Sequence, residues 1–263
     1  MIGILAINAA ILVAAIIVLW LVSIRLRDVS FIDSFWPLGM VMLTVSTFVQ
    51  AEDGAPHRKL LLLVLTCLWG LRLSIHLFTR WRAEGEDPRY KRILGGAIEK
   101  KGWSFGRASL QLVFAMQAPL LFIVCLPAQL GQLAAEPAET GWLAFGGKCL
   151  ALLGIGFETV GDWQLRRFRA DPASKGKVLD TGLWRYTRHP NYFGDCCVWW
   201  GLWLIAAETT PGLRSLAGPL LLTWLLTRLS GVPMLEHSLR KRRPGYEDYI
   251  RRTSSFFPWP PKA

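Results

Sequence analysis

The stretch IGILAINAAILVAAIIVLWLVSI, residues 2–24, holds no charged side chain and is followed at once by Arg25 and Arg27. A bilayer's hydrocarbon core is ~30 Å thick and a helix rises ~1.5 Å per residue, so a crossing takes roughly 20 mostly apolar residues. This stretch is long enough to span and lacks the small-residue cleavage site of a signal peptide, so it reads as a retained transmembrane helix. Further apolar runs occupy residues 31–51, 60–79, 110–130, 141–160, 192–207 and 216–235. The second is interrupted by Asp33 and Pro37, the third carries Arg72 and His76, and the fifth is expected to extend past the membrane surface. The expected fold is an all-α integral membrane bundle of about seven transmembrane helices.

Composition agrees. Of 263 residues 52% are apolar, with 13 Trp and 13 Phe, and the mean hydropathy is +0.32. A net charge of +11 would suit a nucleic-acid partner if it formed one patch. Instead it collects in alternate loops, as cytoplasmic loops do. Arg25 and Arg27, eight basic residues from Arg80 to Arg107, seven from Arg166 to Arg188 and seven from Arg240 to Lys262 fall on one side. Arg58, Lys59 and Arg214 fall on the other. The expectation is an outer N-terminus, a cytoplasmic C-terminus and a multi-pass protein of a bacterial inner membrane, with membrane lipids as neighbours, no nucleic acid and no obligate protein partner. Cys67, Cys125, Cys149, Cys196 and Cys197 lie inside apolar runs without metal-ligand or disulfide spacing, and no metal site is expected. No repeat or linker divides the chain, which is read as a single membrane domain, 1–263.

Ionisable groups in a spanning helix cost ~2.5–3.5 kcal/mol on insertion scales, so each must face the bundle interior. Trp69, Arg72, His76 and Arg80 recur at three and four residues, on one stripe about 80° wide. Arg72 either pairs with a carboxylate such as Asp33 or meets a substrate. Glu158, Asp162, Arg166 and Arg169 make a second ribbon, running from membrane depth to the surface. It serves either as intrahelical ion pairs, worth a few tenths of a kcal/mol each, or as a grip on a large polar anion. Arginines clamp phosphates, and carboxylates accept from hydroxyls or an amide. In GLWRYTRHPNYFGD, residues 182–195, Pro190 suits a first helical turn. Arg188, His189, Asn191, Tyr192 and Asp195 ring that helix start, where free N–H groups favour an anion. Glu236, His237 and Tyr246 follow the last apolar run.

RHPNYFGD, the upstream E-x-x-x-D-x-x-x-R-x-x-R ribbon and the C-terminal Pro-Gly-Tyr-x-x-Tyr segment occur together. The chain thereby resembles the membrane steroid 5-alpha-reductase family, in its bacterial, DUF1295-type branch, most closely over residues 154–258. The resemblance implies a seven-helix fold that binds NADPH in a cytoplasm-facing cavity of the last three helices and reduces the C=C bond of a 3-oxo-4-ene steroid. It puts the substrate side in residues 1–135 and the cofactor half in 136–263. It places Asp162, Arg166, Arg169, Asn191, Tyr192 and Asp195 on the family's cofactor motif, and Glu158, Lys175, Arg188, His189, Glu236, His237 and Tyr246 are expected to bind the cofactor with them. Asp33 matches the family's substrate-polarising acid. Trp69 stands where the family has a tyrosine, with Arg72 and His76 completing the expected catalytic set. The implied substrate is a steroid-like enone lipid. S-adenosylmethionine-dependent membrane methyltransferases of the isoprenylcysteine carboxyl and phospholipid types share RHPxYxG and Tyr-x-x-Tyr, and they are the alternative.

Overall fold

In a computed structural model, which describes residues 1–229 and 231–262, the protein is helical; among the described residues the only β feature is an isolated bridge between Thr187 and Ser254. The order is α1 (Ile2–Leu26), α2 (Ile32–Gln50), α3 (Pro56–Glu84), α4 (Pro88–Lys101) and α5 (Phe105–Val124, with a wide turn at Leu110–Phe114). It continues with α6 (Leu126–Leu130), α7 (Trp142–Ala170), α8 (Pro190–Ala206), α9 (Ala217–Trp224), α10 (Val232–Arg242) and α11 (Tyr246–Arg252). Among the described residues, helices α1, α2, α3, α5 and α7, and the run Thr210–Arg242 containing α9 and α10, make 6 segments long and apolar enough to cross a membrane. That is the pattern of a multi-pass membrane protein.

Several boundaries differ from the sequence reading, each for a local reason. The expected sixth crossing forms α8, whose 17 residues rise ~26 Å, at the short end of what can span. Helix α7 runs on to Ala170, past the apolar part, as expected. The basic segment between the third and fourth runs contains a helix rather than an open loop. Asp87 caps α4, its carboxylate accepting from the Arg89 backbone N–H, and Pro88 occupies the first turn, where no N–H is needed.

Two devices tie the bundle together away from the candidate site. Asn8, fully buried in α1, donates to Thr47 Oγ1 (2.7 Å) and Gln129 Oε1 (2.8 Å) and accepts from Ser46 (2.7 Å). An otherwise featureless apolar helix is thereby fixed in rotation against α2 and α6. Arg58, which the charge count placed in an outer loop, is wholly buried and donates to the carbonyls of Gly131, Ala134 and Pro137 at 2.8–3.1 Å.

The closest contact between helices is the α7–α8 seam. Gly147, Gly154 and Gly161 recur every seven residues on α7, and Gly194 and Gly201 do so on α8. A Cβ on Gly154 would lie 2.4 Å from the Gly194 carbonyl oxygen, and one on Gly147 2.5 Å from that of Gly201. The two backbones therefore touch, as small-residue stripes permit in membranes, where packing and polar contacts replace the hydrophobic drive. Gly154→Ala is expected to cost about 1–3 kcal/mol through overpacking and to lower the thermal midpoint in detergent. Gly156→Ala, on the open face of the same helix, is expected to leave the midpoint unchanged or raise it slightly. Equal midpoints for the two variants would show that the seam does not hold the helices.

Candidate functional site

The glycine seam sets Glu158 and Asp162 of α7 beside the first turns of α8 and opposite α3. There Arg72 reaches across. Its NH2 lies 2.7 Å from Glu158 Oε2 and its NH1 donates to Asp162 Oδ2 at 2.7 Å, while His76 Nε2 is 3.8 Å from the same oxygen. Both carboxylates are buried, at 3% and 7% exposure. Arg72 therefore pairs with α7 and not with Asp33, and the acidic half of the α7 ribbon answers α3 rather than its own helix. The basic half lies elsewhere: Arg166 is exposed, and Arg169 is exposed and donates to Glu84 at 3.3 Å. Lys175 is exposed in the loop beyond.

The charges of Arg72 and Glu158 both act on or from half-buried Asp195 of α8, so one guanidinium faces three acids. The Asp195 Oδ1 atom is buried with no hydrogen-bond partner, as are Thr66 Oγ1, Trp69 Nε1 and Arg72 Nε on α3 and Trp199 Nε1 on α8. Trp69 and Trp199 meet edge to face at 5.3 Å. Unsatisfied polar atoms at such depth cost free energy unless a ligand or water completes them. The α3–α8 interface is thus the polar interior of the bundle.

A second cluster surrounds Asp33. Tyr90 of α4 donates its hydroxyl to Asp33 Oδ1 at 2.6 Å, and Arg89 NH2 donates to Asp33 Oδ2 at 2.8 Å. Gln117 Nε2 donates back to the Tyr90 hydroxyl at 3.3 Å and accepts from Trp36 Nε1 at 2.6 Å. Burial, then the charge of Asp33, pushes the Tyr90 phenol well above its ordinary value, so it stays protonated. Burial works against charge on Arg89 and Asp87, but their mutual pairing wins. The charge of Asp33 and the bond to Asp87 raise Arg89, and the bonds from Arg89 lower Asp87. Sequence reasoning missed Tyr90 because it looked for runs long enough to span, whereas this segment is a short amphipathic helix with Tyr90, Ile93, Leu94, Ala97 and Ile98 on one face. The Asp-Pro helix start at 87–88 was the available signal.

Where α8 begins, Arg188 and His189 turn away from the helix axis to a common partner. Arg188 Nε donates to Glu236 Oε1 at 2.8 Å, its NH1 donates to the carbonyls of Ile250 and Thr253, and His189 Nε2 lies 3.1 Å from the same Glu236 oxygen. His189 stacks on Tyr192 at 5.4 Å, with 8° between ring planes. Tyr246 is buried against Tyr249, whose hydroxyl donates to the Trp184 carbonyl. These residues lock α10, α11 and the approach to α8 into one piece. Half-buried Asn191 and Tyr192 are left at the mouth, and exposed His237 lines a shallow cavity of ≈ 230 Å³ with Glu236 and Arg240. Tyr192 joins the clusters, because the charges of Arg89, Arg80, Asp33 and Asp195 all reach it.

Residues 19–253 match the model of a family described as protein of unknown function (DUF1295). The uncharacterized protein C594.04c of Schizosaccharomyces pombe is 24% identical over 274 aligned positions, covering 92% of this chain and 76% of its own length. No solved structure matches the chain.

Two outcomes test this geometry. Arg72→Met strands buried carboxylates and is expected to cost about 3–5 kcal/mol, while adding Glu158→Gln and Asp162→Asn is expected to restore most of it. Thermal unfolding in detergent reads both, and a triple variant no more stable than the single one would deny the pairing. Burial, outweighing Glu236, lowers His189 below its ordinary value. The folded state then resists protonating it, so stability falls as pH drops below about 6.5. His189→Gln is expected to flatten that part of the pH profile.

Proposed function

The chain belongs to the DUF1295 family, and from that premise we propose that it is a membrane oxidoreductase using NADPH to reduce the C=C bond of an enone lipid. A 3-oxo-4-ene steroid is the substrate class suggested by its resemblance to the steroid 5-alpha-reductases. The observation that carries the reading is the Tyr90 hydroxyl 2.6 Å from Asp33, within electrostatic reach of Tyr192. A half-buried acid and a phenol form a pair of the kind that polarises a ketone, and the phenol comes from α4 where α3 offers only Trp69.

The residues present fit a dinucleotide. The unsatisfied Asp195 oxygen and the adjacent Asn191 suit hydroxyl and amide groups, while Arg166, Arg169 and Lys175 at the surface suit phosphates. Arg188, His189, Glu236 and Tyr246 act one step back, positioning residues 182–191 through the lock described above. When bound, NADPH supplies the hydride. The protein's own part is to hold the enone and manage a proton. Arg89 holds Asp33, and the Tyr90 hydroxyl, which donates to Asp33 in the free protein, would turn to donate to a carbonyl oxygen that gains negative charge during reduction, the position at which an aligned donor helps most. Trp69, Trp199 and Thr66 offer further unpaired donors along the α3–α8 interface, and His76 lies beside them through Asp162. We take α8 as a seventh crossing, with the basic loops and the cofactor mouth on the cytoplasmic side of a bacterial inner membrane.

The detergent-purified chain is expected to bind NADPH and to consume its absorbance with a 3-oxo-4-ene steroid in a substrate panel. Tyr90→Phe is expected to lower turnover by about 100-fold while changing NADPH affinity less than twofold, and Asn191→Ala to weaken NADPH binding itself. Binding of S-adenosylmethionine in place of NADPH would assign the site to methyl transfer and end the reductase reading.

A further inference from the structure

Beyond α11 the chain folds back on the segment that leads into α8. Arg188 N donates to the Ser254 carbonyl (2.9 Å), Thr187 Oγ1 to that of Phe256 (2.8 Å), Trp259 N to that of Tyr186 (2.9 Å) and Lys262 N to that of Arg252 (2.9 Å). These bonds close a cavity of ≈ 380 Å³ between the last turn of α11 and the tail. Arg188, Arg251, Arg252 and Lys262 line it, with Ser255 and Trp259 on its wall and no carboxylate among the lining residues. Buried Glu236 neutralises Arg188 from behind, and the side chains of the other nearby acids are exposed. Asp248 pairs with Arg251, and Asp180 lies 3.5 Å from Arg252, contacts of the surface kind that contribute little and exchange readily.

We propose that this cavity binds the phosphate group of an anionic membrane-lipid headgroup. Arg188 is already held by Glu236, but three exposed cations around one cavity, Arg251, Arg252 and Lys262, call for an anion, and guanidinium forks match phosphate oxygens in pairs. The space exceeds what a bare phosphate fills, leaving room for its ester substituents. Phe257 and Trp259 stand beside it, each 70% exposed. Exposed aromatic rings next to basic side chains are the composition of a bilayer interface, where both headgroup attraction and ring insertion act. The position fits as well, since the cavity lies at the end of the bundle where α7 ends and α8 begins. The same tail bonds that close the cavity hold residues 186–188, so a bound headgroup would brace the approach to Pro190 and Asn191. The proposal does not depend on the reductase reading.

The test uses the full chain in neutral detergent, stripped of lipid. Short-chain phosphatidylglycerol, phosphatidylcholine of equal chain length and inorganic phosphate are titrated, and thermal midpoint and binding are followed. Phosphatidylglycerol is expected to raise the midpoint where phosphatidylcholine does not. Its affinity is expected to fall about tenfold in Arg251→Gln/Arg252→Gln/Lys262→Gln. The charge-matched variant Arg82→Gln/Lys91→Gln/Lys100→Gln, exposed on other elements, is expected to keep it within twofold. Inorganic phosphate acting as strongly as the lipid, and lost in the same pocket variant, would uphold the phosphate site and overturn the headgroup as its source. Equal losses in both triple variants, equal protection by phosphatidylcholine, or no response to any of the three would overturn the site.

Discussion

Backbone contact between α7 and α8, made possible by glycines at seven-residue intervals, sets the positions of the acids at the centre of this bundle. With Gly154 and Gly194 against each other, Glu158 and Asp162 on one helix and Asp195 on the next are forced into the same low-dielectric volume. Carboxylates so placed cannot turn to lipid, and α3 answers them with Arg72. The seam therefore dictates both the packing and the charge distribution of the interior.

That distribution is deliberately incomplete in its pairing. One arginine faces three acids, and unpaired donors of Thr66, Trp69 and Trp199 run along the same interface. A purely structural bundle would be more stable with such positions apolar. By contrast, the polar groups around Asn8 and the Arg58 guanidinium are bonded to neighbours and serve as fasteners. The difference between bonded and unbonded buried polar atoms separates the fastened parts of the bundle from the α3–α8 interface.

The cluster around Asp33 carries a related lesson. Its partners, Arg89 and Tyr90, come from a short amphipathic helix outside the apolar runs, too short and too charged to register as a membrane span. Arg72, which lies in the next apolar run and invited pairing with Asp33, is taken by α7 instead. A membrane chain can bring a loop helix under its own bundle because an uncompensated acid at the bilayer's edge draws the nearest guanidinium that geometry allows.

From sequence alone came the helical class, the apolar runs, the inward placement of Arg72, Glu158 and Asp162, and the concentration of polar chemistry at residues 182–195. Hydropathy and the 3.6-residue period express these locally, one helix at a time. Tertiary structure decided which acid met which base, that Arg188 and His189 share Glu236, that Tyr90 faces Asp33, and that the tail encloses a basic cavity. Those outcomes depend on how closely and at what rotation helices distant in sequence pack, and for Glu158, Asp162 and Asp195 that was set by missing side chains, the glycines of α7 and α8, whose effect exists only once two backbones meet.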